Sequence, residues 1–369
     1  MRFTSLDSWR GLCALAVVMY HAGGHGLIGG SALIRGSFLF VDFFFVLSGF
    51  VMSEAYANRM TSLSSLRIFL VRRFGRIWPL HAAMMLAFFG LELAKLVLVW
   101  VAHVQFTNPP FTATMRLDAI LPNILLIHAM GTLPGLTWNG PSWSIAAEFW
   151  TYVVFGLVVL GLRPRLKLVA AVMAGLAAVV LVRMSTHLMD VTYDLGFVRC
   201  LYGFFIGVAL HRLRADWSAP RIRFGTYSEI CGAALALVFV ALAHDSYLSL
   251  LSPLIFSGVI FVFAESNGAV AKILHTKPCL NLGKWSYSIY MTHLFIFDLA
   301  SMAEKLVVKL ATSLHRLEQW QLFLATPGVS DGLCLVFALI VILVSAYTYR
   351  WIENPAQRYF NRRAASTTH

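Results

Sequence analysis

The sequence predicts an all-α, polytopic bundle of transmembrane helices, and three observations carry that expectation. Of 369 residues, 59% are hydrophobic and 12% charged, with a mean hydropathy of +0.74; a water-facing surface takes about 25% charged residues. Apolar stretches of roughly 18 to 20 residues recur along the chain, each long enough for a hydrocarbon core of about 30 Å. Basic residues gather between alternate stretches, as they do in cytoplasmic loops. The net charge of +12 therefore reflects positive-inside topology rather than nucleic-acid binding, since no basic amphipathic face or aromatic-rich groove accompanies it.

Ten spanning helices are expected, over 8–24, 38–56, 78–100, 143–162, 166–185, 196–212, 228–244, 247–264, 285–304 and 331–351. A further short helix near 116–130 dips into the membrane or lies along it. With the N-terminus inside, cytoplasmic segments hold Arg59 to Arg76, then Arg163, Arg165 and Lys167, then Arg212, Arg214, Arg221 and Arg223. Lys272 to Lys284 follow, and Arg350 to Arg363 close the chain. The opposite side keeps few basic residues, Arg35 and Arg116 among them. Both termini are therefore expected in the cytoplasm.

The longest outer segment, 101–142, contains Asn108-Pro109-Pro110, Leu133-Pro134-Gly135 and Asn139-Gly140-Pro141. These turn formers predict a structured loop. With no internal repeat, low-complexity tract or appended soluble domain evident, 1–369 is expected to be a single membrane domain. Met1 to Ala22 has a short apolar run behind Arg2 and Arg10, but Tyr20, His21 and His25 are poorly suited to a cleavage site, so it is expected to remain as a helix. Five scattered cysteines without CxxC or metal-ligand spacing read as small core residues.

An ionisable side chain inside a membrane span costs roughly 2.5–3.5 kcal/mol or more, so it needs a partner or a task. The first helix holds Arg10 near its inner end and His21 eleven residues on. Eleven steps of about 100° leave the two about 20° apart around the helix and roughly 16 Å apart along it. They share one stripe, Arg10 at the cytoplasmic interface and His21 in the outer half of the membrane. Each also has a plain packing explanation: Arg10 snorkels and pairs with Asp7, and His21 bonds a neighbouring carbonyl.

Asp42 opens the second helix from outside, and Glu148 lies just inside the fourth, behind Trp143 and Ser144. With His21, both carboxylates fall in the outer half, so the three are expected around one cavity. A carboxylate beside a histidine fixes its tautomer and raises its basicity, as a general base requires. The competing explanation for Asp42 and Glu148 is buried ion pairs that set helix packing. His293, midway along the ninth helix, is a further candidate, and Glu54 sits near the inner end of the second. Arg73 and Arg76 form an RxxR with Arg72 beside it, two guanidinium forks on one helix face that suit phosphate. His21 and His25 are spaced i, i+4, but no third ligand accompanies them and no metal is expected.

Together these segments resemble acyltransferase family 3, the bacterial membrane-bound O-acyltransferases of the polysaccharide O-acetyltransferase type. Leu6-Asp7-Ser8-Trp9-Arg10-Gly11 is similar to that family's LDGLRG opening, with Arg10 and His21 at its Arg-x10-His spacing. Val41-Asp42-Phe43 through Phe50 resembles VDxFFVLSGF, and Phe69 through Leu80 resembles FxxRRxxRxxP. Trp143-Ser144 through Glu148 is similar to WSLxxE, and Tyr287-Ser288 through His293 to YSLYLxH. Ser8 replaces a usual glycine, Ala147 stands where a second glutamate is common, and Met291-Thr292 replaces Leu-Trp. The stretch 163–270 adds helices and no motif.

The resemblance implies transfer of an acyl group, commonly acetyl, from cytoplasmic acyl-CoA to a hydroxyl of a carbohydrate or lipid-linked glycan outside the bacterial cytoplasmic membrane. Acyl-CoA enters as donor substrate, with no permanently bound cofactor. Arg73 and Arg76, with Arg72, would hold coenzyme A, whose pantetheine arm matches the Arg10–His21 separation in order of length. His21 would deprotonate the acceptor or carry the acyl group, Glu148 and Asp42 would orient and charge-balance it, and Arg10 would stabilise the donor. The alternative from a different class is a transporter using a buried His and carboxylate relay, which predicts inverted repeats or broken helices, and none is evident.

Overall fold

The computed structural model describes residues 3–24, 26–216, 224–314 and 316–366. Arg2, His25, Arg221 and Arg223, named above, lie outside them. Among the described residues every regular element is a helix, apart from one isolated bridge between Phe224 and Ser266. The principal helices are α1 Thr4–Ala22, α2 Phe40–Tyr56, α3 Leu63–Ala102, α4 Trp143–Leu162, α5 Leu166–Met184 and α6 Gly196–Asp216. They continue with α7 Thr226–Ala243, α8 Ser252–Ala264, α9 Lys277–Ser313, α10 Pro327–Thr348 and α11 Asn354–Ser366.

Each expected span falls on one of α1 to α10, yet among the described residues seven segments are long and apolar enough to cross a membrane. The difference has two sources. α4 and α5 run on as one segment, Gly140–Met184, joined by the 3-10 turn Arg163–Arg165. α1 and α9, which carry polar candidate residues, are not among the seven. The chain is a multi-pass helical membrane protein.

α3 starts fifteen residues before the expected span at 78. Ser62 accepts the Ser65 backbone N–H and Ser65 accepts that of Ser62, a reciprocal cap that starts the helix early. Forty residues span about 60 Å, far more than a hydrocarbon core, so the Arg67–Arg76 stretch is a continuous extension of a membrane helix. Pro79 lies within it, where proline removes one backbone bond and favours a bend. The expected helix near 116–130 reduces to two 3-10 turns and the five-residue helix Ile120–Ile124. That loop is tied down: buried Glu92 accepts the Phe111 N–H at 2.8 Å, and Trp138 Nε1 donates to the Arg116 carbonyl at 3.1 Å.

The helices form two compact units, each assembled from separated stretches of chain, where the composition suggested one domain. The first comprises Met1–Phe40, Arg223–Ser249 and Val262–Tyr347. Its axis is α1 against α9, which approach closely because Gly11 faces the Leu282–Gly283 backbone and Gly283 faces the Asp7 carbonyl; a Cβ at either glycine would collide. Trp9 packs edge-on against Phe263 at 5.3 Å, and Thr292 of α9 bonds Ser345 of α10 at 3.1 Å. Buried Glu229 accepts the N–H groups of Gly268, Val270 and Ala271, satisfying the start of a short helix.

The second unit comprises Val41–Ile222, Leu250–Phe261 and Thr348–His369. Here α2 meets α6 through Gly49 on the Phe204 carbonyl and Gly207 on the Val46 carbonyl. Phe50, Phe69, Phe155 and Phe204, all fully buried, fill the core around that crossing. α11 packs on α3, Phe360 against Gly75 and edge-on to Phe74 at 5.7 Å. The link from α10 to α11 is a π-helical turn, Tyr349–Glu353.

Candidate active site

The stripe expected from the eleven-residue spacing is present, and it faces α9. Arg10 donates through Nε to Ser286 Oγ at 2.8 Å and through Nη2 to the Gly283 carbonyl at 3.0 Å. The Asp7 carboxylate lies 3.6 Å away. Arg10 therefore fastens α1 to α9 at one end of the stripe. At the other end, His21 and His293 lie ring to ring, centroids 4.8 Å apart and planes at 51°.

His21 Nδ1 is 3.0 Å from the Val17 carbonyl one turn back. A carbonyl only accepts, so Nδ1 carries the proton and Nε2 keeps its lone pair. The sequence suggested a carboxylate in this orienting role; a backbone carbonyl fills it instead and adds no negative charge. Tyr20 meets His21 edge-on at 5.0 Å. His293 is fully buried, and neither of its ring nitrogens closes a hydrogen bond with the protein.

Asp42 is fully buried and fully engaged. Its Oδ1 accepts from Arg199 Nε at 2.8 Å, and its Oδ2 from Arg199 Nη2 at 3.0 Å and Ser252 Oγ at 2.9 Å. Trp143 covers the far side of the guanidinium, its ring centroid 5.4 Å from Cζ. Such a bidentate pair with a third donor leaves Asp42 little capacity to serve a histidine, and packing is the role its surroundings describe. Ser144 turns back on its own helix start, bonding the Pro141 carbonyl at 3.2 Å. Glu148 accepts the Tyr152 hydroxyl on Oε1 at 2.6 Å, and that hydroxyl also meets Ser48 at 2.9 Å.

Arg72, Arg73 and Arg76 of α3 are half-buried. Arg73 lies over the Tyr56 ring at 5.8 Å. The Nε atoms of Arg72 and Arg73 are buried and bond nothing in the protein. Buried donors of that kind call for an acceptor, and a guanidinium pair is matched by phosphate oxygens.

Three polar groups escaped the sequence analysis. Arg199, 1% exposed, sits in a stretch without motifs, yet an arginine in an apolar span needs a partner and Asp42 is it. His211 bridges Ser53 Oγ at 2.8 Å and Glu54 Oε2 at 2.6 Å. His81 stacks on His128 of the 101–142 segment, ring centroids 5.8 Å apart and planes at 6°. His128 Nε2 lies 3.0 Å from Ser142 Oγ, and burial, with His81 beside it, pushes its pKa down from 6.5 to about 3. It stays neutral at neutral pH. No group of three His, Cys, Asp or Glu side chains among the described residues is placed to hold a metal.

A multi-pass helical protein with an oriented imidazole on one helix and half-buried arginines on another has the parts of a membrane acyltransferase. The family model described as an acyltransferase domain, that of acyltransferase family 3, matches residues 3–351, and the chain belongs to that family. It is 25% identical to an acyltransferase, MdmB, of Streptomyces mycarofaciens, over 100% of this chain and 95% of that protein. It is also 25% identical to the peptidoglycan O-acetyltransferase OatA of Listeria monocytogenes, over 96% of this chain and 56% of that longer protein. A protein of the picA locus in Rhizobium radiobacter is 31% identical over 49% of this chain and 94% of its own length. No solved structure matches. The chain is an O-acyltransferase of the membrane.

Proposed function

We propose that this enzyme moves an acyl group, acetyl in the simplest case, from cytoplasmic acyl-CoA to a hydroxyl of a carbohydrate or lipid-linked glycan outside the bacterial cytoplasmic membrane. The carrying observation is the Val17 bond to His21 Nδ1, which leaves Nε2 as a basic nitrogen of fixed direction. His21 Nε2 takes the proton as the acceptor oxygen attacks the thioester carbon. The C–O bond forms, the C–S bond breaks, and the proton passes to the departing coenzyme A thiolate. Arg72, Arg73 and Arg76 hold the donor phosphates, supported by the two buried Nε atoms without a protein acceptor. Arg10 keeps α1 in register with α9. The likeness to the peptidoglycan O-acetyltransferase of Listeria supports an acetyl group and a glycan acceptor.

The test uses membrane vesicles and radiolabelled acetyl-CoA with the wild-type chain and His21→Ala. Loss of transfer by about 10²–10⁴-fold is expected from removal of a general base. Full transfer by His21→Ala overturns the assignment. Mass spectrometry of surface glycans from a deletion strain then shows one acyl mass missing from the natural acceptor.

A further inference from the structure

The loop that follows α1 lines an open cavity of about 450 Å³ with Tyr20 in its wall. Its walls are Tyr20, Ile34, Arg35 and the backbone of glycines 23, 24, 29 and 30. The volume falls in the range of small-molecule sites, roughly 300–1,000 Å³. Tyr20 is also the ring that meets His21 at 5.0 Å, so the cavity ends one aromatic ring from the candidate base.

Three features give the cavity a chemistry. Its glycine wall presents backbone N–H and C=O groups with no side chains between them and a ligand. The conformation requires glycine: Gly23 and Gly24 have φ of 65° and 134°, and a Cβ on Gly29 would run into the Gly23 carbonyl. The loop is also fixed from outside, because Asp331 accepts the N–H groups of Leu27, Ile28 and Gly29 at 2.8, 2.9 and 3.2 Å. Finally, Arg35 is exposed on the rim, held by the Gly30 carbonyl alone, with no carboxylate beside it among the described residues.

An aromatic face, a wall of backbone acceptors and donors, and one uncompensated guanidinium together match a sugar ring that bears a negative charge. We infer that Gly23, Gly24, Gly29 and Gly30 line the acceptor site, with Tyr20 as the platform for an anionic sugar and Arg35 as the partner of its carboxylate or phosphate. This rests on the acyl-transfer reading above and assigns acceptor choice to the segment that follows His21.

The test measures acetyl transfer by the full chain in vesicles to three probes: N-acetylmuramic acid, glucose 6-phosphate and neutral N-acetylglucosamine. Arg35→Ala is expected to raise the acceptor KM about tenfold or more for the charged sugars, by loss of one charge-assisted pair, with the acetyl-CoA KM unmoved. Arg35→Lys recovers part of that loss. Tyr20→Ala weakens all three acceptors, whereas Tyr20→Phe keeps the platform. A preference for the carboxylate or the phosphate sugar identifies the charge that Arg35 meets. Unchanged acceptor KM values in Arg35→Ala and Tyr20→Ala overturn the inference, as does a wild-type chain that consumes acetyl-CoA and acylates none of the three. A wild-type chain that consumes no acetyl-CoA overturns the acyl-transfer reading beneath it.

Discussion

Asp42 and Arg199 lie 0% and 1% exposed, and each supplies the other's counter-charge. Removing one partner leaves a buried charge without compensation, at a cost of about 3–5 kcal/mol. Arg199→Leu is therefore expected to lower the unfolding midpoint in detergent sharply, and Asp42→Leu with Arg199→Leu to recover much of it. A double variant as unstable as the single one would show that the pair does more than compensate charge. Asp42 was legible in the sequence as a buried carboxylate that needed a reason; the reason was not, because Arg199 lies 157 residues away in a stretch without motifs. His21 was legible too, through its spacing from Arg10. Its orienting partner was not, since a backbone carbonyl leaves no mark on a sequence.

Gly11 and Gly283 set the distance between α1 and α9, and with it the reach of Arg10 to Ser286. Gly11→Leu forces the two backbones apart and is expected to cost about 1–3 kcal/mol or more through overpacking. Gly175→Leu on α5, with nothing within 4 Å of its Cβ position, serves as control and stays within about 0.5 kcal/mol. Thermal unfolding in micelles distinguishes them, and equal midpoints would remove the close-packing explanation. At this scale the apolar runs located α1 to α10 but not α11, because a span of roughly 20 apolar residues is a strong signal and a short polar helix is not. Boundaries set by caps were missed: the Ser62–Ser65 box starts α3 fifteen residues ahead of the expected span.

For the whole molecule, the asymmetry of basic segments predicts that both termini face the cytoplasm and that 103–139 lies outside. Green fluorescent protein fused to the C-terminus should fluoresce and alkaline phosphatase there should be inactive, with the opposite behaviour for a fusion within the 103–139 loop. Reversed signals would invert the sidedness proposed for donor and acceptor. The division into two interleaved units was invisible in composition, because both are built from equally apolar helices. Their order along the chain also has a consequence in time. α1 belongs to the unit completed by Val262–Tyr347, so about 260 residues of synthesis separate its appearance from that of Gly283 and Ser286. At roughly 5–20 residues per second, α1 waits about 13–50 s before Arg10 meets its α9 partners. During that interval the helix that bears His21 is held by the insertion machinery or the lipid interface, and a nascent chain cut short before α9 leaves it without those partners.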